Sequence, residues 1–229
     1  MLEDALSYPT KGDSGIARVL IGGGLLMFSW LLVPGFIAAG YLLRALGAAS
    51  RGEGPPPFDD WSGMLVDGLK ATVVSFVYGI VPFAVFGVLF VVVFGGAGAG
   101  GDAGGIVAGI GLLGVFVAIP FVFVVYYVVP AALTNVAREG SMSAAFDFET
   151  LKPVLSSGSY LTAVLLTFVV NLVGSAVLGF LSAFFVGLIV APFYYFWFGL
   201  VGYYMFGEAF GEVAGRASSR TAAGASPTG

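Results

Sequence analysis

The stretch RGEGPPPFDDW, residues 51–61, separates two long uncharged segments and divides the chain into pieces of membrane-spanning length. Its three consecutive prolines end a preceding helix, because proline lacks the amide donor and restricts the residue before it to extended geometry. Asp59 and Asp60 then supply N-cap candidates for a new helix. The stretch therefore predicts a helix end, a short connection and a helix start.

The composition on both sides of this stretch is that of an integral membrane protein. Of the 229 residues, 59% are hydrophobic and only 10% are charged. The absence of Cys and His excludes disulfides, thiolate nucleophiles, imidazole bases and the commonest zinc ligands. A net charge of −4 provides no basic field for nucleic acid. We expect neither a nucleic-acid partner nor a cofactor.

Uncharged intervals between ionisable residues give five transmembrane spans. The 25 residues between Arg18 and Arg44 suffice to cross a roughly 30 Å hydrocarbon core at about 1.5 Å per residue. The 55 residues between Lys152 and Glu208 must hold two spans. The predicted spans are residues 19–43, 71–94, 106–130, 160–181 and 184–206. The predicted fold class is all-α, a polytopic transmembrane helical bundle in a single domain over residues 1–215.

The predicted connections differ in how firmly the sequence marks them. The glycine-rich residues 95–101 are expected to form a flexible loop between the second and third spans. The last turn lies near Ser182, where either a hairpin or a re-entrant bend fits the sequence. Residues 216–229 are small and polar without periodicity, so we expect a disordered tail.

Two short amphipathic helices are predicted at the membrane interface, near residues 58–70 and 146–155. The apolar residues of the first recur at three- and four-residue steps: Phe58, Trp61, Met64, Leu65 and Leu69. Asp59, Asp60 and Asp67 occupy its other faces. Trp61 is expected at the depth of the lipid head groups.

The start of the second interfacial helix repeats that of the first. Phe146 and Asp147 follow Phe58 and Asp59 by 88 residues, and each pair comes after a Glu-Gly break. The chain therefore contains a weak internal repeat of span, break, interfacial helix and returning span.

Basic residues at the span ends predict the orientation. Seven lie after the first, third and fifth spans, whereas only Lys11 and Arg18 precede the first. Because cytoplasmic segments are enriched in Lys and Arg, this distribution favours a cytoplasmic C-terminus and an external N-terminus.

A set of short motifs resembles an uncharacterised archaeal and bacterial integral membrane family, domain of unknown function 4013. The motifs are Tyr8-Pro9, Gly12-Asp13, Pro34, Gly40-Tyr41, Pro57-Phe58-Asp59-Asp60-Trp61 and Asp67-Gly68-Leu69-Lys70. The resemblance covers residues 1 to about 215. It implies a membrane protein in which the first interfacial helix is important, and it supplies no catalytic or binding residues.

Few side chains in or near the spans are candidates for chemistry. Three carboxylates within nine positions, Asp59, Asp60 and Asp67, are suited either to a divalent cation or to capping and solvating a helix. Asn171 is the most polar side chain inside a span and is suited to a contact with a neighbouring helix or a substrate. Glu208 and Glu212 share one helix face, where solvated charges are the ordinary arrangement.

Three functions remain open from the sequence. We favour a non-enzymatic membrane protein that organises membrane lipid, or docks a protein partner or a second copy, through its interfacial helices. The contact residues are then Phe58, Asp59, Asp60, Trp61, Asp67, Phe146 and Asp147. The alternatives are a permease or lipid-translocating protein with a path at Asn171, and an enzyme acting on lipid head groups through Asp59, Asp60 or Glu208. Ion-coupled transport is disfavoured because no charged residue lies inside a predicted span.

Overall fold

The computed structural model describes residues 1–224, and this part of the chain is helical with no β-strand. The α-helices are α1 (Leu2–Ser7), α2 (Gly15–Met27), α3 (Val33–Ser50), α4 (Trp61–Ala99), α5 (Gly101–Glu139), α6 (Phe148–Leu155), α7 (Gly158–Ser182) and α8 (Val186–Gly224). Short 3-10 turns cover Tyr8–Thr10, Ser29–Leu31 and Met142–Phe146.

Five helices are long and apolar enough to cross a membrane, which confirms the predicted all-α polytopic bundle. They are Val33–Ser50, Trp61–Gly98, Gly101–Glu139, Gly158–Ser182 and Val186–Arg216. α4 and α5 have 39 residues each and are about 58 Å long, which exceeds the roughly 30 Å hydrocarbon core. The predicted spans 71–94 and 106–130 are inner parts of these longer helices.

The predicted first span, residues 19–43, is wrong because the chain breaks inside it. α2 ends at Met27, and Leu32 adopts a left-handed φ of 66° before α3 begins. Pro34 occupies the first turn of α3, where a missing amide donor has no helical partner to lose. The 13 residues of α2 extend only about 20 Å. α2 and α3 therefore form a helical hairpin instead of one crossing.

The predicted interfacial helix over residues 58–70 is also wrong as a separate element. α4 begins at Trp61 and continues without a break through Lys70 into the second span, because no proline or glycine pair interrupts the chain there. Met64 is fully buried, whereas Trp61 and Leu69 are exposed. The apolar residues of this segment thus do not share a single face towards lipid. The second predicted segment, near 146–155, contains the separate helix α6.

Residue contacts group the chain into two units where the sequence predicts one domain. Unit 1 is Met1–Thr72 with the chain from Pro130 onward, and unit 2 is Val73–Val129. In unit 2, the turn between α4 and α5 consists of Gly100 and Gly101, with φ of 67° and 64°. These left-handed conformations suit glycine. They allow a tight turn between the end of α4 and the start of α5. The predicted loop over 95–101 is therefore wrong.

Within unit 1, α3 and α8 run parallel and approach each other through glycines of α8. Gly207 lies against Leu46, and Gly211 lies against Ser50, so residue numbers rise together along both helices. Small residues permit such close backbone approach, which stabilises helix association in lipid through van der Waals contact. The buried core around this contact comprises Tyr8, Ala38, Tyr41, Ala45, Ala49, Met64, Phe196 and Leu200.

α2 runs antiparallel to α8 and returns the N-terminus to the C-terminal end of that helix. Gly23 lies against Phe193 near the start of α8, whereas the Tyr8 ring lies 4.7 Å from the Tyr204 ring. The N-terminal segment and the C-terminal half of α8 therefore share one end of unit 1, and we call it the polar end. The side of a membrane that each terminus faces stays a prediction.

In the C-terminal part of the chain, the structure agrees with the predicted position of the last turn and differs from the predicted tail. α7 ends at Ser182, and Phe185 with φ 60° precedes α8, so a tight hairpin lies where the sequence predicts the last turn. α8 continues to Gly224, although disorder is predicted from residue 216, because alanine and arginine there favour helix extension. Residues 225–229 of the predicted tail lie outside the described part.

Candidate functional site

Arg44 joins two carboxylates at the start of α4, at the polar end of unit 1. Its Nε donates to Asp67 Oδ2 over 2.8 Å, and its Nη2 donates to Asp60 Oδ2 over 2.9 Å. Asp60 and Asp67 are seven residues apart and therefore share a helix face. Lys70 pairs with Asp67 at 3.3 Å. We call Arg44, Asp60, Asp67 and Lys70 the charge cluster, and its two positive and two negative groups neutralise one another.

The charge cluster depends on a close crossing of α3 and α4. A Cβ on Gly40 would collide with the Met64 carbonyl, and one on Gly68 would collide with the Phe36 carbonyl. Only glycine allows this reciprocal approach, which brings the end of α3 within reach of the first turns of α4. The distances from Arg44 to the two carboxylates follow from this crossing.

An aromatic stack fixes the connection that precedes α4. The Phe58 ring lies 3.8 Å from the Tyr41 ring with an interplanar angle of 5°, and Phe196 closes the group from α8. The buried Tyr41 hydroxyl donates to the Pro56 carbonyl over 2.7 Å. Phe58 was predicted as a lipid or partner contact, but it is half-buried and one face of its ring is occupied by Tyr41.

The helix start has a single capping carboxylate and an exposed indole. Asp60 Oδ1 accepts from the Gly63 amide over 3.0 Å, so Asp60 is the N-cap of α4, while Asp59 is exposed. The Arg44 guanidinium, followed by the Gly63 amide, lowers the pKa of Asp60. Trp61 is 45% exposed, and its ring lies 5.8 Å from the Phe58 ring at an interplanar angle of 33°. Its predicted contact with lipid or a partner stays a prediction.

The second copy of the Phe-Asp motif also begins a helix. Asp147 accepts from the Glu149 and Thr150 amides as the N-cap of α6, and Phe146 is exposed. The Thr150 hydroxyl donates to Asp147 over 2.7 Å and is the main cause of the lowered pKa of that carboxyl. Buried Asn135 donates to the Ala144 carbonyl over 2.9 Å and holds the preceding turn.

The predicted carboxylates do not form a metal-ion site. A guanidinium lies between Asp60 and Asp67, and no group of three acidic side chains in the described part of the chain is placed to hold a metal ion. Glu212 pairs with Arg216 at 3.4 Å, and Glu208 is half-buried on α8. Asp60, Asp67 and Glu212 therefore have basic partners, whereas Glu208 Oε2 is buried with no hydrogen-bond partner among the described residues.

Asn171 lies on α7, apart from the charge cluster. The Ser175 hydroxyl, one turn further along the same helix, donates to its Oδ1 over 3.5 Å. Tyr194 of α8 approaches the same stretch of α7 at Gly174. Asn171 thus has a hydrogen-bond partner on its own helix, whereas the Tyr194 hydroxyl is buried with no hydrogen-bond partner among the described residues.

Two residues of the site were missed by sequence reasoning. The sequence analysis uses Arg44 only as one of the basic residues that predict the orientation. A lone arginine at a span end followed by three aspartates is, however, a signal for an ion pair. Tyr41 belongs to the Gly40-Tyr41 motif, to which the sequence analysis assigns no role. Its partners, Phe58 and Pro56, are 17 and 15 positions away, and sequence periodicity carries no information on such pairs.

The fold and the site define a polytopic helical membrane protein with a charge-neutral cluster at one end of its main unit. The chain belongs to the family described as Protein of unknown function (DUF4013), which matches residues 27–183 and includes α3, the charge cluster and α6. Comparisons with curated proteins and with solved structures gave no match.

Proposed function

We propose that this protein is a non-enzymatic membrane protein that organises lipid through the start of α4. The observation that carries the proposal is the exposed Trp61 directly beside the charge cluster. Indole rings favour the membrane–water interface because one part is apolar and the N–H needs a polar partner. Ion-paired side chains next to it match the polarity of the head-group layer.

The state of the ionisable groups supports a role without catalysis. Asp60 is occupied by Arg44 and by the Gly63 amide, and Asp67 is occupied by Arg44 and Lys70. A general base needs an available lone pair near its substrate and a pKa close to the working pH. The lowered pKa of Asp60 runs against that requirement.

The proposal is tested by extracting the full chain from its native membrane into lipid discs and identifying stoichiometric lipids and proteins. The variant is Trp61→Ser. Its matched control is Val66→Ser, which also changes an exposed apolar residue of the first turns of α4. We expect one lipid class to be enriched with the wild type and the control, and at least a threefold lower enrichment with Trp61→Ser.

The other outcomes separate the alternatives. A protein that copurifies with the wild type and is lost in Trp61→Ser replaces lipid organisation with partner docking. Equal lipid content in all three samples contradicts a role for Trp61 and, with it, the proposed function.

A further inference from the structure

Arg18 is a buried cation with only neutral partners. It is 6% exposed, and its Nη1 donates to the Pro9 carbonyl over 2.9 Å and to the Lys11 carbonyl over 3.0 Å. Its Nη2 donates to the Ser14 hydroxyl over 3.3 Å. Among the described residues, no carboxylate forms an ion pair with Arg18. Burying a charge without a counter-charge is unfavourable.

The position of Arg18 in the helix also favours an anion near its guanidinium. It lies in the first turn of α2, whose N-cap Ser14 makes no side-chain capping bond. Helix N-termini carry partial positive charge, and cations are unfavourable there. The guanidinium and the helix terminus therefore add their positive potentials at one point.

Arg18 also lines a cavity of about 230 Å³. Besides Arg18, its lining consists of Ser14, Ala17, Ile21, Pro56, Pro57 and Phe58. The space is far larger than the roughly 30 Å³ that one water occupies. One side is cationic and polar, and the other is apolar and formed by the proline run that separates the first two predicted spans.

We propose that this cavity binds a phosphate group, with the Arg18 guanidinium as its counter-charge. Arginine has five N–H donors, three of which are used by the bonds above, and its planar fork matches phosphate oxygens. The apolar wall and the exposed Ile16 and Leu20 on the outer side of α2 favour a phospholipid over free phosphate as the source. This inference rests on the proposed lipid-organising function and names the lipid chemistry.

The test measures retained lipid by native mass spectrometry of the detergent-purified full chain. The probes are dioleoylphosphatidylglycerol, dioleoylglycerol without a phosphate, and inorganic phosphate as a competitor. Ala17→Phe fills the cavity from an exposed position and leaves the Arg18 bonds in place. Ile16→Phe, at a neighbouring residue that is 74% exposed, is the matched control. Arg18→Gln is a second variant, and circular dichroism checks that each variant is folded.

We expect the wild type and Ile16→Phe to retain one phosphatidylglycerol, and Ala17→Phe to retain at least tenfold less. Dioleoylglycerol should not be retained. Loss of bound phosphatidylglycerol at millimolar inorganic phosphate identifies the phosphate alone as the ligand, and resistance to it identifies the lipid. Equal retention in wild type and Ala17→Phe, or equal retention of dioleoylglycerol, overturns the inference.

The Trp61→Ser variant separates this inference from the proposed function. If Trp61→Ser keeps native lipid enrichment while Ala17→Phe loses phosphatidylglycerol, the cavity stands and the proposed role of Trp61 fails. If Trp61→Ser loses enrichment while Ala17→Phe retains phosphatidylglycerol, the cavity assignment fails and the proposed function stands.

Discussion

The Tyr8 hydroxyl donates a hydrogen bond to the Ala45 carbonyl over 3.2 Å, which ties the N-terminal segment to the end of α3. Both groups are buried, so this bond forms part of the core of unit 1. Because α2 and α3 form a hairpin, residues before α2 lie at the same end as the connection after α3. The bond therefore places the N-terminal segment and the connection after α3 at one end of unit 1.

Single cysteines will test this arrangement, since the chain has no Cys of its own. We expect Asp13→Cys and Asp59→Cys to react with a membrane-impermeant maleimide from one side. Phe184→Cys, in the turn between α7 and α8 at the other end, should react from the opposite side. All three residues are exposed. Labelling of Asp13→Cys and Asp59→Cys from opposite sides would falsify the hairpin.

The crossing of α3 and α4 should not tolerate a methyl group. Gly40→Ala places a Cβ against the Met64 carbonyl, and such overpacking costs about 1–3 kcal/mol. For a chain of this size the melting temperature then falls by about 2–4 °C per kcal/mol. Gly24→Ala is the control, because nothing lies within 4 Å of its added Cβ. A melting temperature for Gly40→Ala at or above that of the control contradicts the crossing.

Loss of Asp67 should destabilise the charge cluster more than loss of Asp60. Asp67 has two basic partners and a side chain that is 24% exposed, whereas Asp60 is 53% exposed. We expect Asp67→Asn to cost about 1.5–3 kcal/mol, the range for hydrogen bonds to charged groups. Asp60→Asn, which keeps a capping oxygen, should show the smaller shift in thermal unfolding. The reverse order would mean that capping outweighs the ion pairs.

Removing the Tyr41 hydroxyl should release the proline run. Tyr41→Phe keeps the stacked ring but loses the bond to the Pro56 carbonyl, at a cost of about 1 kcal/mol. We expect faster protease cleavage within residues 51–60 in detergent. Tyr195→Phe on α8 provides the control, because its side chain is exposed. Equal cleavage rates in both variants contradict the role given to this hydroxyl.

Stability should fall in acid because two capping carboxylates have lowered pKa values. Protonation of Asp147 breaks its bonds to Thr150, and protonation of Asp60 breaks those to Arg44 and Gly63. A pKa that is lower in the folded chain than in the unfolded chain, where Asp titrates near about 3.9, stabilises the fold above that value. The contribution is lost as the pH falls further through the folded pKa.

We therefore expect the melting temperature to decrease below about pH 4. Thr150→Val should weaken this decrease, because the hydroxyl is the main cause of the lowered pKa of Asp147. Glu139→Gln is a control, since Glu139 is exposed at the end of α5. An acid transition that is unchanged in Thr150→Val excludes Asp147 as a contributor.

The sequence by itself determined the class, four of the five long apolar helices and both capped helix starts. Apolar length and capping are local properties, because a helix satisfies its own backbone bonds. Asp60 and Asp147 cap the helices that follow them; a proline run marks the first of these starts, and the repeated Phe-Asp pair marks the second. The hairpin at Ser182 follows from length alone, since 55 uncharged residues exceed one crossing.

The tertiary structure alone decided where the first predicted span breaks and what the charged residues contact. An uncharged run shows its length but not whether the chain turns back, because in lipid both arrangements satisfy the backbone if neighbouring helices pack on them. Arg18 and Arg44 look alike in the sequence as charges at span ends. The fold buries Arg18 beside a cavity and brings Arg44 to two carboxylates across a glycine crossing. Such contacts depend on helix packing, which sequence periodicity does not encode.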